Sequence, residues 1–148
     1  MDEPKKVQGY NCIMVLDPGG GKLLMCRRRK DPYKGLKNLV GGKIEPDEDH
    51  LDAAYRELWE ESGLGREDVT LTRLMTFDYP LDFCYVEVYA GQLREMKTVS
   101  GDENELLWES TAADLFDMRY YAGEGNIGHM LEILKLHPEI AETAKSEK

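Results

Sequence analysis

Residues 42–64, GKIEPDEDHLDAAYRELWEESGL, carry the clearest helix signal in the chain. Asp47 is a suitable N-cap for a helix over residues 48–62, and the acidic residues after it favour a helix N-terminus. Gly63 follows the last polar residues and predicts a C-cap. The apolar residues of this helix fall on one stripe, which predicts that it packs against a sheet; they are Leu51, Ala54 and Leu58.

The same helix carries a cluster of carboxylates beside the apolar stripe. Their spacing of i, i+3 and i+4 places Glu57, Glu60 and Glu61 on one face. Arg56 lies four residues before Glu60 and is placed to orient it. Hard divalent cations take such oxygen ligands, whereas a solvated acidic face is the alternative. The apolar stripe and the preceding Gly-Gly turn favour the metal site.

The segment resembles the Nudix box, whose pattern is G-x5-E-x7-R-E-U-x-E-E-x-G-U with U an aliphatic residue. All fixed positions of the pattern are matched, by Gly42, Glu48, Arg56, Glu57, Leu58, Glu60, Glu61, Gly63 and Leu64. The resemblance implies the Nudix fold, an α/β (α+β) fold with a mixed β-sheet sandwiched between helices. We expect a single domain over residues 1–148.

Cleavage of a pyrophosphate bond by a metal-bound water is the chemistry that the resemblance implies, with Mg²⁺ or Mn²⁺ as cofactor. The implied metal-binding set comprises the Gly42 carbonyl, Glu57, Glu60 and Glu61. Glu57, Glu60 and Arg56 are the implied catalytic residues of the box, and Arg56 orients a glutamate. Glu48 and Gly63 are implied to have structural roles at the two ends of the box.

A general base is expected from a loop beyond the box, because family members often draw one more glutamate from there. Residues 101–105 form the only strongly acidic loop in that region. Glu103 resembles the corresponding glutamate of 8-oxo-dGTP diphosphatases, and we predict it as base and further metal ligand. Glu105 and Glu60 are the alternatives, and a simple solvated loop is the third.

The strand before the box resembles that of MutT-like enzymes that remove oxidised purine nucleotides. This resemblance implies that Asn38 reads the purine edge, because an amide offers both a donor and an acceptor. It also implies that Tyr121 stacks on the base and that Glu124 accepts a hydrogen bond from it. Arg27 belongs to the basic cluster within residues 27–34, which is either a triphosphate contact or a charged rim.

The leading interpretation is therefore a nucleoside triphosphate pyrophosphohydrolase that converts 8-oxo-dGTP into 8-oxo-dGMP and pyrophosphate. Tyr79-Pro80 instead resembles ADP-ribose pyrophosphatases and dinucleotide polyphosphate hydrolases, although a turn between strands explains the proline equally well. A catalytically silent Nudix domain that senses a nucleotide is the alternative of another class.

Composition limits the remaining classes. The net charge of −10 argues against binding a nucleic-acid polymer and favours a small nucleotide held through a metal. No apolar run approaches the roughly 20 residues of a membrane span, and the first residues do not resemble a signal peptide. Three cysteines without metal spacing predict buried reduced thiols and a cytoplasmic location. Trp59, predicted to face outward, leaves monomer and homodimer both open.

Elsewhere the patterns predict short alternating elements. The expected strands cover residues 8–16, 22–28, 38–40, 70–79, 83–93 and 106–108, the first two forming a hairpin. A short helix is expected over residues 112–116 with Thr111 as its cap, and an amphipathic helix over residues 127–136. The tail, residues 138–148, is expected to be loosely ordered.

Overall fold

A computed structural model of the chain describes residues 6–101 and 103–140. The strands are β1 (Gln8–Leu16), β2 (Lys22–Arg27), β3 (Lys37–Asn38), β4 (Thr72–Tyr79), β5 (Cys84–Gln92) and β6 (Glu105–Ser110). The helices are α1 (His50–Ser62) and α2 (Asn126–Lys135), and a 3₁₀ turn covers Pro80–Asp82.

The six strands form one mixed sheet in the order β3-β2-β1-β5-β4, with β6 paired to β2. β1 and β5 run parallel over their whole lengths, and the other pairs are antiparallel. The expected hairpin contains a single pair, Leu16 with Leu23. Nearer its N-terminus, β1 is bridged to residues 40–43, through Ile13–Val40 and Tyr10–Lys43. The Gly41-Gly42 turn therefore lies beside the middle of β1.

Both faces of the sheet are covered by a helix, which confirms the predicted architecture. On one face, Ala54 and Leu58 of α1 pack with Ile13 and Val15 of β1. The alternating residues Met14 and Leu16 face the opposite side, as the period of two requires. There the core is completed by the buried residues of α2, which are Ile127, Gly128, Met130, Leu131 and Leu134.

The box helix starts later than predicted. Its N-cap is Asp49, whose carboxylate accepts the N–H of Asp52 at 3.0 Å, whereas the predicted cap, Asp47, has a left-handed φ of 65°. Leu51 consequently lies in the exposed first turn and is 36% exposed, so its predicted burial is wrong. The C-cap is confirmed, because Gly63 has φ 79° and donates to the Trp59 carbonyl at 2.9 Å.

The expected short helix over residues 112–116 is absent, and turns take its place. The Ser110 hydroxyl accepts the N–H of Ala112, and the Asp114 carboxylate accepts that of Phe116, each at 3.1 Å. Short polar side chains that bind nearby backbone N–H groups offer an alternative to the helix. The prediction of a helix here is therefore wrong for a local reason.

Two predictions, that the cysteines are buried and that the tail is loosely ordered, agree with the structure only in part. Cys12, Cys26 and Cys84 are free thiols, but only Cys26 is fully buried. Burial raises the pKa of Cys12 to about 12 and that of Cys26 to about 11. In the expected loose tail, Ile140 is buried in the core, and residues 141–148 lie outside the described part. No helix among the described residues could cross a membrane.

Candidate active site

The Gly41-Gly42 turn lies directly against the carboxylates of α1. The N–H of Gly41 donates to Oε2 of Glu61 at 2.7 Å. A Cβ on Gly42 would lie 2.5 Å from the carboxyl carbon of Glu57, and a Cβ on Gly41 would lie 2.1 Å from the Asn11 carbonyl oxygen. At Gly41 the neighbouring atom is backbone and φ is 148°, so only glycine fits there. The turn and the helix therefore form one site.

Arg56 binds three glutamates of the box, Glu48, Glu57 and Glu60. Its Nε and Nη2 donate to the two oxygens of Glu48 at 2.8 and 2.9 Å, a bidentate arrangement. Its Nη1 donates to Glu57 at 2.9 Å and to Glu60 at 3.4 Å. The hydrogen bond from Arg56 is the largest cause that lowers the pKa of Glu48. Arg56 thus fixes the positions of Glu57 and Glu60, while Glu48 positions Arg56.

The carboxylates nearest the turn are held in a state that favours protonation. Burial is the main cause that raises the pKa of Glu57, and Arg56 opposes it. Burial also raises the pKa of Glu61 to about 7, with the charges of Glu57 and Glu103 adding to the rise. The Gly41 N–H and the Arg28 charge act in the opposite direction. A bound cation would relieve this accumulation of negative charge.

The acidic loop lies against the C-terminal end of α1. The N–H of Ser100 donates to the Ser62 carbonyl at 3.3 Å, and a Cβ on Gly101 would lie 2.6 Å from the Glu61 carbonyl oxygen. Glu103 is exposed and close enough for its charge to raise the pKa of Glu61. Glu105 lies on β6 and forms an ion pair with Arg27 at 3.8 Å.

The donor atoms of this site fit a hard divalent cation. Glu57, Glu60 and Glu61 supply carboxylate oxygens, which suit Mg²⁺ and Mn²⁺. The Gly42 carbonyl accepts the N–H of Asn11 at 2.8 Å and retains a second lone pair. Within residues 6–101 and 103–140, no three acidic, histidine or cysteine side chains already converge as a metal-binding group. Arg56 and Gly41 hold the carboxylates instead.

The residues predicted to contact the base lie on neighbouring segments. A bridge between Lys37 and Tyr121 places Asn38 beside the 120–124 segment. The Asn38 side-chain oxygen accepts the Leu39 N–H at 2.8 Å. Tyr121 is only 6% exposed, and its hydroxyl donates to Glu109 at 2.9 Å.

The remaining predicted contacts differ in their surroundings. Glu124 is exposed and accepts a hydrogen bond from the Tyr33 hydroxyl at 2.9 Å. Arg27 is paired with Glu105, which lies opposite it in register on β6. The basic residue that influences the box is its neighbour Arg28, whose charge lowers the pKa of Glu61. Arg28 belongs to the predicted basic cluster, but the sequence analysis named only Arg27 as a phosphate contact.

The sequence analysis also missed Asn11 and the pair Tyr79–Asn126. Asn11 binds the glycine turn through its side-chain oxygen, which accepts the Gly42 N–H at 3.0 Å. A polar residue directly before the apolar run of residues 12–16 was the available signal. Asn126 donates to the Tyr79 hydroxyl at 3.0 Å, a contact between distant segments that no sequence spacing indicates.

The fold and the site define a class of protein, a mixed-sheet α+β domain with a carboxylate-bearing helix docked on a glycine turn. A family model described as NUDIX domain matches residues 5–113, and the chain therefore belongs to the Nudix family.

Individual relatives are more distant. The chain is 38% identical over 65 residues to the m7GpppN-mRNA hydrolase NUDT17 of Bos taurus, which is 41% of this chain and 22% of that protein. It spans 22% to 50% of the length of the curated relatives that it matches.

Solved structures show the same fold. The NUDIX domain of Shewanella oneidensis NrtR complexed with ADP ribose has a TM-score of 0.72 and 16% identity, covering 91% of this chain and 90% of that one. A MutT structure from work on Aliivibrio salmonicida and Vibrio cholerae has a TM-score of 0.69 and 20% identity, covering 88% and 99%. These likenesses support the fold alone.

Proposed function

We propose that the chain is a divalent-metal-dependent nucleoside triphosphate pyrophosphohydrolase that acts on oxidised purine nucleotides. It would convert 8-oxo-dGTP into 8-oxo-dGMP and pyrophosphate. The observation that carries the proposal is the docking of Glu57 and Glu61 on the Gly41-Gly42 turn, with Arg56 bound to Glu57. Family membership and the intact box support it.

The net charge of −10 opposes the binding of a polyphosphate, and a bound cation would offset this repulsion. Glu57, Glu60, Glu61 and the Gly42 carbonyl would hold Mg²⁺ or Mn²⁺. When bound, the metal would screen the phosphate charges and lower the pKa of the attacking water. Arg56 would keep Glu57 and Glu60 in position as ligands, since it binds both while Glu48 holds its other edge.

Glu103 would take the proton from the attacking water. Its carboxylate is exposed to solvent, and its charge reaches Glu61. Arg28 would contact a phosphate, because its charge reaches Glu61 at the proposed metal site. Its Nε donates to the Pro32 carbonyl at 2.7 Å, which holds the side chain in place. Arg27, paired with Glu105, would contribute to the outer rim of the phosphate site.

Base recognition would fall to Asn38 and Glu124, which lie on adjoining segments. Among the described residues, the Asn38 side chain binds through its oxygen, which accepts the Leu39 N–H, so its amide N–H groups can donate to a base. Glu124 would accept from the purine with one carboxylate oxygen while Tyr33 holds the other. Tyr121, buried with its hydroxyl on Glu109, would line the base site.

A second candidate is hydrolysis of ADP-ribose or a dinucleotide polyphosphate. The observation that favours it is Tyr79, which binds Asn126 and whose pKa is raised chiefly by burial, with a contribution from Glu124. Tyr79 therefore lies near Glu124, one of the residues proposed to bind the purine. Pro80 begins a 3₁₀ turn, which explains the proline without any ligand.

A substrate panel with Mg²⁺ would test the proposal. Pyrophosphate and phosphate release would be followed from 8-oxo-dGTP, canonical nucleotides, ADP-ribose and diadenosine polyphosphates. We expect kcat/KM for 8-oxo-dGTP to exceed that for dGTP, with pyrophosphate as product. Preference for ADP-ribose or a dinucleotide would favour the second candidate, and no metal-dependent turnover would favour a nucleotide-sensing domain.

The Glu103 assignment makes a separate prediction. Glu103→Gln should lower kcat by about 10²-fold or more, because it removes the acid–base group. Glu105→Gln is the matched control, since it changes the same loop end but a carboxylate that faces Arg27. Steady-state kinetics at saturating Mg²⁺ would measure both. A large loss in Glu105→Gln alone would transfer the role to that residue.

A further inference from the structure

Asn11 is an amide inside the sheet, in the middle of β1. It is 2% exposed and pairs in register with Glu87 of the parallel strand β5. From Ile13 to Leu16 its strand is fully apolar and buried. A polar side chain at this depth is unfavourable unless its hydrogen-bonding groups are used, and its partners therefore identify what it does.

Asn11 holds both backbone groups of Gly42. Its N–H donates to the Gly42 carbonyl at 2.8 Å, and its side-chain oxygen accepts the Gly42 N–H at 3.0 Å. The Asn11 carbonyl oxygen lies 2.1 Å from where a Gly41 Cβ would be, so it also limits that glycine. The turn that carries Glu57 and Glu61 on one side is thus fixed by Asn11 on the other.

The side-chain nitrogen of Asn11 is buried and has no hydrogen-bond partner in the described part of the chain. Buried polar atoms are almost always hydrogen-bonded, so such an exception calls for an explanation. Gly42, whose N–H is bound by Asn11, lies directly beside the Glu57 carboxylate, because a Cβ on Gly42 would be 2.5 Å from its carboxyl carbon. The unused donor therefore belongs to a residue that holds the glycine turn of the proposed metal site.

We propose that Asn11 is a positioning residue for the metal site, an inference that rests on the proposed metal-dependent function. Its side-chain oxygen and backbone fix the Gly41-Gly42 turn against Glu57 and Glu61. Groups that orient metal ligands in this way typically contribute about 10- to 100-fold to metal affinity or activity.

Metal binding by the whole chain would test this inference directly. Mn²⁺ would be titrated by calorimetry into the natural protein, Asn11→Leu and Gln92→Leu. Gln92 is the matched control, because it is also a buried amide of the β1–β5 pair but binds the Pro18 carbonyl at the far end. We expect Asn11→Leu to weaken Mn²⁺ binding by about 10-fold or more, and Gln92→Leu to bind Mn²⁺ normally despite lower thermal stability.

The outcomes separate the two proposals. Equal Mn²⁺ affinity in Asn11→Leu and the natural protein would overturn the role of Asn11 while leaving the metal site intact. Equal losses in both variants would also overturn it, because they would reflect general destabilisation. An absence of Mn²⁺ binding in the natural protein would overturn the proposed metal-dependent function itself. If Asn11→Leu does not fold, Asn11→Ser takes its place with the same expected direction.

Discussion

Glu87 on β5 and Glu61 on α1 are two carboxylates that are at least partly buried, and they have different uses. Glu87 is 4% exposed, its Oε2 lies 2.9 Å from His50 Nδ1, and its Oε1 accepts the Tyr89 hydroxyl at 2.9 Å. Arg73 lies 3.7 Å away. Glu61, at the other end of the helix, accepts the N–H of Gly41 and has the charges of other glutamates close by.

The difference lies in what the neighbouring groups supply. The polar partners around Glu87 satisfy both of its oxygens and tie the first residue of α1, His50, to the sheet. Around Glu61, by contrast, Glu57 and Glu103 add negative charge. A carboxylate of the first kind stabilises the fold, whereas one of the second kind reduces stability until a cation binds. Functional sites are where such unfavourable arrangements are expected.

Exchanging Glu61 for glutamine should produce the largest effect. Glu61→Gln keeps an oxygen for the Gly41 N–H but removes the charge proposed to bind the metal. We expect kcat/KM to fall by more than about 100-fold, the upper range for residues that only support a metal ligand. Mg²⁺-dependent turnover of the best panel substrate would measure it. Glu87→Gln should retain most of its turnover, and equal losses in the two variants would erase the proposed distinction.

Glu87→Gln should instead affect stability. It weakens charge-assisted hydrogen bonds to His50 and Tyr89, and we expect the free energy of unfolding to fall by about 1–3 kcal/mol. Urea denaturation with a chelator present would measure the change. Glu132→Gln is the control, because Glu132 is an exposed helix residue paired with Lys135. An unfolding free energy unchanged in Glu87→Gln would show that this cluster does not stabilise the fold.

The site was predictable from the sequence where it depends on local spacing. Glu57, Glu60, Glu61 and Arg56 share one helix, so their mutual positions follow from its geometry alone. The Gly63 cap is local in the same sense. The mixed sheet between helices was predicted from the family resemblance and from apolar runs rich in strand-forming residues, and the structure confirms it.

What the sequence did not reveal depends on contacts between distant segments. The bridging of β1 to residues 40–43 brings Asn11 to the glycine turn, and a strand pattern does not name its partner. The burial of Tyr121 follows from its pairing with Lys37 and its bond to Glu109. The Asp49 cap was missed because Asp47 and Asp49 are equally suitable by residue type, and only backbone conformation separates them.

The pH dependence of folding stability that Glu61 causes should be the weakest of these effects. A carboxyl group with a raised pKa binds its proton more tightly in the folded state than in the unfolded state. Folding stability therefore falls as the pH rises from the ordinary value of 4.5 towards about 7, where folded Glu61 loses its proton. Below that window both states are protonated, and the contribution of the group to stability no longer changes with pH. Glutamine at this position does not titrate.

The unfolding free energies of the natural protein and Glu61→Gln should therefore agree near the acid end of the window and diverge above it. With a chelator present, we expect Glu61→Gln to be the more stable of the two above about pH 7. The gain should be modest because Glu61 is only partly buried and solvent screens its neighbours. Added Mg²⁺ should reverse the order, since it stabilises only the chain that keeps the charge. A difference between the two chains that does not change with pH would mean that Glu61 is as well partnered as Glu87, which would remove the physical basis for assigning it to the metal.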